Sequence, residues 1–522
     1  MEPADLNAGL PEAQPIPAAV PVPDLLAHTP IPGFEIEILP ENPDPPVDEV
    51  CTVKFLIAPT ASRRLTECLV IFIGAILFLR AMAVEPFGVP TGSMAPTLSG
   101  NHRVAVCPRC NYTIRIGEPS HQNRYPTIAC PNCGQPDIDV NEAPDVAGDR
   151  LLVDKNVYSA RKPRRWEPAV FRCPSDLTKP YVKRVIGLPG ERIQVIDGDV
   201  YADGRIVRKT LAECREARVP VFDLNFPPRE VGWSRSWVLE GNVAEKGDAK
   251  IEPSFALVDK ELHLDGTQAG KTPVWIGYRH QRYDESTAID KDEIIRDRFV
   301  YNGPSGDDRS VPVHDFIVEF EVEIVGGSGF FFCRMSDGKD QLVAASPSGD
   351  SKEEAQLRHE GLGIVRSIQR KPLEHGKKYR IEMAFVDRRL SCEVDGRQSF
   401  IPYDLEPAKT RADLISPLSI GVQGIKVVVR NVKLYRDIFY RSSGRNAVDE
   451  PLQLGKDEYF MLGDNSANSD DSRSWPIPGV PERNFLGKPF LLHQPSRITH
   501  LTINGRERVF QSIDWSRIRF LR

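Results

Sequence analysis

Three separated stretches of this chain carry side chains that could act together: Ser93-Met94, Lys183-Arg184, and the run Gly463-Asp464-Asn465-Ser466-Ala467-Asn468-Ser469-Asp470-Asp471-Ser472-Arg473. A serine hydroxyl is a weak nucleophile at neutral pH and needs a base to take its proton as it attacks a carbonyl carbon. No histidine stands in any of the three stretches. Lys183 does, flanked by apolar residues in Tyr181-Val182-Lys183-Arg184-Val185-Ile186-Gly187. Burial penalises an ammonium and lowers its pKa, so an amine on such a strand can serve as a base. Singly, a serine in a Gly/Pro loop is an ordinary turn residue, and a strand lysine ordinarily reaches solvent. A second constellation, Cys107-Pro-Arg-Cys110 with Cys130-Pro-Asn-Cys133, has the spacing of a four-thiolate zinc ribbon, with disulfides as the alternative. Four thiolates would leave no position for water, so such a metal would be structural.

Certain elements must position these residues. Leu65 to Val84 is nearly all apolar between Glu67 and Arg80, and about twenty residues at 1.5 Å each just cross a bilayer core of about 30 Å. The pattern predicts a transmembrane helix over 63–84; a buried helix of a soluble core is the alternative, because the uninterrupted run Cys68 to Leu79 is short. Arg63 and Arg64 would put the N-terminus in the cytoplasm. The prolines and glycines between Glu85 and Gly92 forbid a continuing helix and set Ser93 on a constrained loop. Gly187-Leu188-Pro189-Gly190, Asp197-Gly198 and Asp203-Gly204 are closely spaced hairpin signals, which predict antiparallel β structure.

The three stretches, in this order after an apolar segment, resemble the blocks of type I signal peptidases, membrane-anchored serine proteases that cut leader peptides from exported proteins. The resemblance covers about Leu65 to Thr97, Gly148 to Val207 and Tyr459 to Arg522. It implies Ser93 as nucleophile, Lys183 as general base, and the Ser93 N–H with the Thr91 hydroxyl as oxyanion donors. It further implies that Ser469 hydrogen-bonds the lysine and that Asp471 pairs with Arg473 and Arg184. The other reading of Thr91 is a cap of its own turn. Asp464 and Asn465 read as holding the loop by side-chain-to-backbone bonds. Ser466-Ala467 departs from the more polar pair that many family members carry there. Small residues are expected at the cut site, with Phe87, Val89 and Met94 as pocket candidates by proximity.

At 522 residues the chain is long enough for two to four domains, and its net charge of -6 argues against a nucleic-acid partner. The expected fold class is mainly β. A Pro-rich, acidic, disordered cytoplasmic tail over 1–62 precedes the membrane helix. Two parts of an antiparallel signal-peptidase catalytic fold, 85–218 and 441–522, flank an inserted jelly-roll-like β-sandwich over 219–440, with a zinc-ribbon-like insertion at 105–136. Phe316, Val318, Phe320 and Val322 alternate with Glu319, Glu321 and Glu323, and Tyr379, Ile381, Met383 and Phe385 repeat that period; the texture resembles concanavalin or laminin-G-like domains. Because catalytic stretches lie on both sides, the ends of the insertion must emerge together. The resemblance implies a single-pass protein of the bacterial cytoplasmic membrane with its catalytic domain on the periplasmic side. Its partners would be exported precursors with signal peptides and the lipid bilayer; catalysis would need no cofactor, and zinc would be structural. The sandwich is either a structural module or a receptor for an envelope ligand. Two rival functions are a LexA-like self-cleaving Ser/Lys protease and an inactive peptidase-like scaffold that displays the sandwich.

Overall fold

The computed structural model describes residues 61–118, 127–229, 236–240, 254–268, 270, 272–303, 310–503 and 506–521. The chain divides into two units, Met1–Val70 and Ile71–Arg522. Residues 1–60, most of the expected tail, lie outside the described residues.

The apolar segment forms a helix over Ala61–Met82. Among the described residues, however, no helix is long and apolar enough to cross a membrane, so the expected span is not met and the topology inferred from it loses its element. The uninterrupted apolar run Cys68 to Leu79 covers roughly 18 Å of helix, against about 30 Å of hydrocarbon. The large apolar side chains of that run, among them Leu69, Ile71, Phe72, Leu77 and Phe78, are nonetheless exposed.

From Ile71 onward the protein is mainly β, as the turn spacing predicts. One sheet carries the residues of interest, in the order Val84–Gly88, Arg150–Asp154, Phe485–Leu492, Pro168–Cys173, Asp176–Gly187, Glu458–Leu462 and Gly479–Pro481. Neighbours along it are antiparallel. Strand register brings two reactive stretches together: Leu462 lies opposite Arg184 and Met461 opposite Val185, so the loop that begins at Gly463 starts beside Lys183. The expected Asp-Gly turns form with both residues at positive φ (48° and 87° at Asp197-Gly198, 50° and 76° at Asp203-Gly204), which is the twist a two-residue hairpin requires.

The inserted segment pairs its two alternating sequences directly, Phe316 opposite Phe385, Val318 opposite Met383, Phe320 opposite Ile381 and Val322 opposite Tyr379. All eight side chains are buried in one core with Ile420, Val427 and Leu434. Among the described residues, 14 strands of the segment join in one hydrogen-bonded network, and Gln281–Asp284 with Ile289–Asp292 form a separate pair. Two strands, Phe316–Ser336 and Leu418–Asp437, are long enough to serve both halves, and bulges between Ile324/Gly326 and Gly327/Phe330 redirect them midway. There Gly327 has φ +84°, and a Cβ on it would stand 2.2 Å from the Gly424 carbonyl oxygen, so only glycine allows the strands to approach. At the base of the segment Arg218 pairs with Asp437, so the chain enters and leaves side by side.

Candidate active site

Ser93 lies in a single 3-10 turn, Gly92–Met94, closed by the Ala95 N–H on the Gly92 carbonyl oxygen at 3.1 Å. The apolar anchor of that turn is Met94, fully buried with Leu98, Leu151, Val153 and Leu492. Val89 and Met94 are therefore core residues and cannot line an open subsite, which corrects two of the three pocket candidates; Phe87 packs half-buried against the same cluster. The Thr91 hydroxyl stands 3.5 Å from Ser93 Oγ and makes no capping bond to the turn. Downstream, Asp149 holds the loop by accepting the Ser99 N–H at 2.7 Å and a two-pronged contact from Arg517 at 2.8 and 3.1 Å.

Lys183 sits mid-strand between Ala169 and the start of the Gly463 loop, and is 2% exposed. Its Nζ donates to Ser469 Oγ at 3.0 Å. Burial lowers its pKa to about 8; Asp471 and Asp470 pull the other way and Arg473 adds to the lowering. An amine with this pKa has a minor neutral fraction near physiological pH, far larger than that of an exposed lysine.

The Gly463–Arg473 loop closes the gap between these groups. A Cβ at Gly463 would lie 2.2 Å from Ser469 Oγ and 2.5 Å from the Ser93 carbonyl oxygen, so glycine admits the serine turn and the lysine's partner to the same spot. Among the described residues no hydrogen bond joins Lys183 to Ser93: Nζ is spent on Ser469 and Ser93 Oγ faces Thr91. The direct contact expected of the pair is thus not formed in the free protein, where such catalytic bonds are often open. Asn465 grips the serine from behind. Its N–H donates to the Ser93 carbonyl oxygen at 3.0 Å, and its Nδ2 donates to the Gly92 carbonyl oxygen at 3.0 Å.

The charged residues sort differently from expectation. Among the described residues, Asp471, fully buried, pairs with Arg473 and not with Arg184, accepting its Nε at 2.9 Å and Nη2 at 2.7 Å, and accepts the Gly463 N–H at 3.2 Å. Arg184 pairs instead with Asp464, Nε at 2.8 Å and Nη2 at 2.6 Å. Strand alternation is the reason, since Lys183 and its neighbour point to opposite faces. Asp464 is therefore a buried ion-pair partner and not a turn-former. Ser466 does two jobs its small size permits, its Oγ accepting Arg473 Nη1 at 2.7 Å and the Arg441 N–H at 2.8 Å.

The structure also brings in residues that sequence reasoning did not mark. Asn302, from a short turn Val300–Asn302 in the inserted segment, exchanges two amide bonds with Asn465, at 2.7 and 2.6 Å. Beside it, Tyr301 lies against both Gly92 and Gly117, where a Cβ would stand 2.3 and 2.4 Å from its ring. No local signal marks either residue, because Asn302 acts on a residue 163 positions away in the chain and Tyr301 on one 200 positions away.

The four paired cysteines converge, with all Sγ atoms within 4.8 Å of one another. The Cys107–Cys133 and Cys110–Cys130 separations are 3.6 and 3.7 Å, far beyond a disulfide bond of about 2.05 Å and close to the roughly 3.8 Å edge of a tetrahedron with Zn–S of about 2.3 Å. Two matching turns present them: Cys107 bonds Tyr112 and Asn111, Cys130 bonds Gln135 and Gly134, and Asn111 and Gly134 both have positive φ. The donor set and its geometry fit a structural zinc.

Residues 140–259 and 419–493 match a family model. The match is to signal peptidases, peptidase family S26. It contains Lys183, Ser469, Asp471 and Arg473, while Ser93 precedes it. Curated relatives are the signal peptidases I of Rickettsia conorii and Rickettsia typhi, each 30% identical over 134 residues, covering 26% of this chain and 40% of theirs. That of Rickettsia akari is 29% identical over 151 residues, 29% of this chain and 46% of its own. The chain thus spans less than half the length of the relatives it matches. Neither a self-cleaving repressor-type protease nor an inactive scaffold is favoured by these matches. Among solved structures, a carbohydrate-binding module from Bacillus subtilis covers 38% of this chain and 94% of its own at 12% identity and a TM-score of 0.24. A galectin-like Bacillus subtilis protein of unknown function covers 42% and 98% at 11% identity and a TM-score of 0.27.

Proposed function

We propose that this protein is a membrane-attached serine endopeptidase of the signal peptidase kind, which cleaves exported precursors with Ser93 as nucleophile and Lys183 as general base. The observation that carries this reading is the buried Lys183 amine, lowered to about 8 and oriented by Ser469, at the loop that also grips the Ser93 turn. In this reading Ser93 Oγ attacks the scissile carbonyl carbon while Nζ takes its proton. The oxygen left negative is met by the Ser93 N–H and the Thr91 hydroxyl, donors of a kind worth about 3 kcal/mol each. Collapse breaks the C–N bond, the leaving amine takes the proton from Nζ, and water repeats the attack on the acyl-serine with the same base. Asp471 is paired with Arg473, which weakens the pull by which its carboxylate favours the ammonium form of Lys183.

Attachment to lipid is supported by the exposed apolar side chains of helix Ala61–Met82, and a precursor substrate by the likeness to signal peptidases I. A structural zinc on Cys107, Cys110, Cys130 and Cys133 stiffens the insertion after the Ser93 loop, and catalysis draws on no cofactor. The decisive experiment is cleavage of a purified exported precursor in detergent. Ser93→Ala and Lys183→Ala should each abolish it while melting temperature and circular dichroism stay close to those of the parent; normal turnover by Lys183→Ala would refute the pair.

A further inference from the structure

We infer that Asn302, contributed by the inserted β segment, is a positioning residue for the oxyanion-binding amide of Ser93, acting through Asn465; this rests on Ser93 being the nucleophile. The amide of Asn465 is saturated. One Nδ2 hydrogen goes to the Gly92 carbonyl oxygen at 3.0 Å, the other to Asn302 Oδ1 at 2.6 Å, and Asn465 Oδ1 accepts from Asn302 Nδ2 at 2.7 Å. The Asn465 N–H meanwhile holds the Ser93 carbonyl oxygen at 3.0 Å. Asn465 therefore clamps both peptide planes that flank the Ser93 Cα.

Peptide geometry turns this clamp into an aim. The Gly92 carbonyl and the Ser93 N–H belong to one planar trans unit and point in opposite directions. Fixing the carbonyl on Asn465 aims the N–H the other way. Without Asn302, two of the three side-chain bonds that orient the Asn465 amide are lost, and the plane carrying the donor keeps the Ala95 N–H at 3.1 Å as its firm tether and gains room to rock. Tyr301 blocks the alternative movement, because its ring fills the space beside Gly92 and is itself held by a 3.4 Å bond from its hydroxyl to the Asn101 carbonyl oxygen. The insertion thus completes the scaffold of the catalytic turn, and the peptidase fold does not build this part by itself.

The test uses the full-length protein in detergent with a precursor substrate. Asn302→Leu, which keeps the branching and heavy-atom count but cannot hydrogen-bond, should lower kcat roughly tenfold with KM nearly unchanged, as expected of a small misplacement of a reacting group. Asn302→Asp, which keeps an acceptor for Nδ2, should retain part of the rate and guards against a variant that merely fails to fold. Asn302→Leu added to Asn465→Ala should cost nothing further. Independently of activity, Asn302→Leu should speed hydrogen exchange at the Asn465 amide while leaving exchange along the Phe316–Ser336 strand unchanged. Unchanged kcat and exchange in Asn302→Leu, or losses that multiply with those of Asn465→Ala, would overturn the inference. A parent protein that cleaves no precursor would instead remove the protease reading, and the exchange result would still decide whether Asn302 holds the turn.

Discussion

At the scale of single residues, the proposed chemistry rests on making a lysine behave as a base. Lys183 gains that property from burial, and the nearby carboxylates that would reverse it are either paired with an arginine, as Asp471 is, or sit outside hydrogen-bonding contact with Nζ. With a pKa of about 8 the amine is mostly protonated at pH 7 and mostly neutral at pH 9. Since only the neutral form accepts the serine proton, kcat/KM should rise with pH and level off with a midpoint of about 8; a profile flat from pH 6 to pH 9 would contradict this. Ser469→Ala should reduce kcat roughly tenfold to a hundredfold by freeing Nζ from its orienting bond, a loss that steady-state cleavage would register. Lysine, serine and the Gly463 loop were all legible in the sequence as a set. The pairing of the carboxylates was not, because which of Arg184 and Arg473 meets which aspartate depends on strand facing and cannot be read from adjacency.

At the scale of elements, the strand Asp176–Gly187 presents Lys183 on one face and a structural ion pair on the other. Arg184 is 1% exposed and Asp464 3%, so neither charge can turn to solvent if its partner is removed. Asp464→Ala should therefore destabilise the protein by about 3–5 kcal/mol, the usual cost of an orphaned buried charge, visible as a lower melting temperature. A double change to Arg184→Met and Asp464→Leu should recover much of that loss. The knuckles that carry Cys107, Cys110, Cys130 and Cys133 are another such element. Purified protein should hold about one zinc per chain, and a strong chelator should lower its melting temperature; protein purified under reducing, chelator-free conditions without zinc would refute the site. Both the hairpin turns and the knuckles were readable in advance, since Asp-Gly and Cys-x-x-Cys impose local geometry wherever they occur. The expected membrane span was not upheld, since among the described residues no helix is long and apolar enough to cross a membrane.

At the scale of the whole molecule, sequence by itself determined a mainly β protein, the order of its reactive stretches, a metal-type cysteine set and the existence of an inserted strand-rich segment. These are properties of neighbours in the chain: alternation, turn chemistry and short spacings. Tertiary structure alone decided that 14 described strands of the insertion share one hydrogen-bonded network, that Val89 and Met94 are core, and that Asp464 takes Arg184. It alone placed Asn302 and Tyr301 against the Ser93 turn. Such facts depend on which surfaces meet once strands of 21 and 20 residues have bent and packed, and contact between residues far apart in sequence leaves no periodic trace in the chain that makes it.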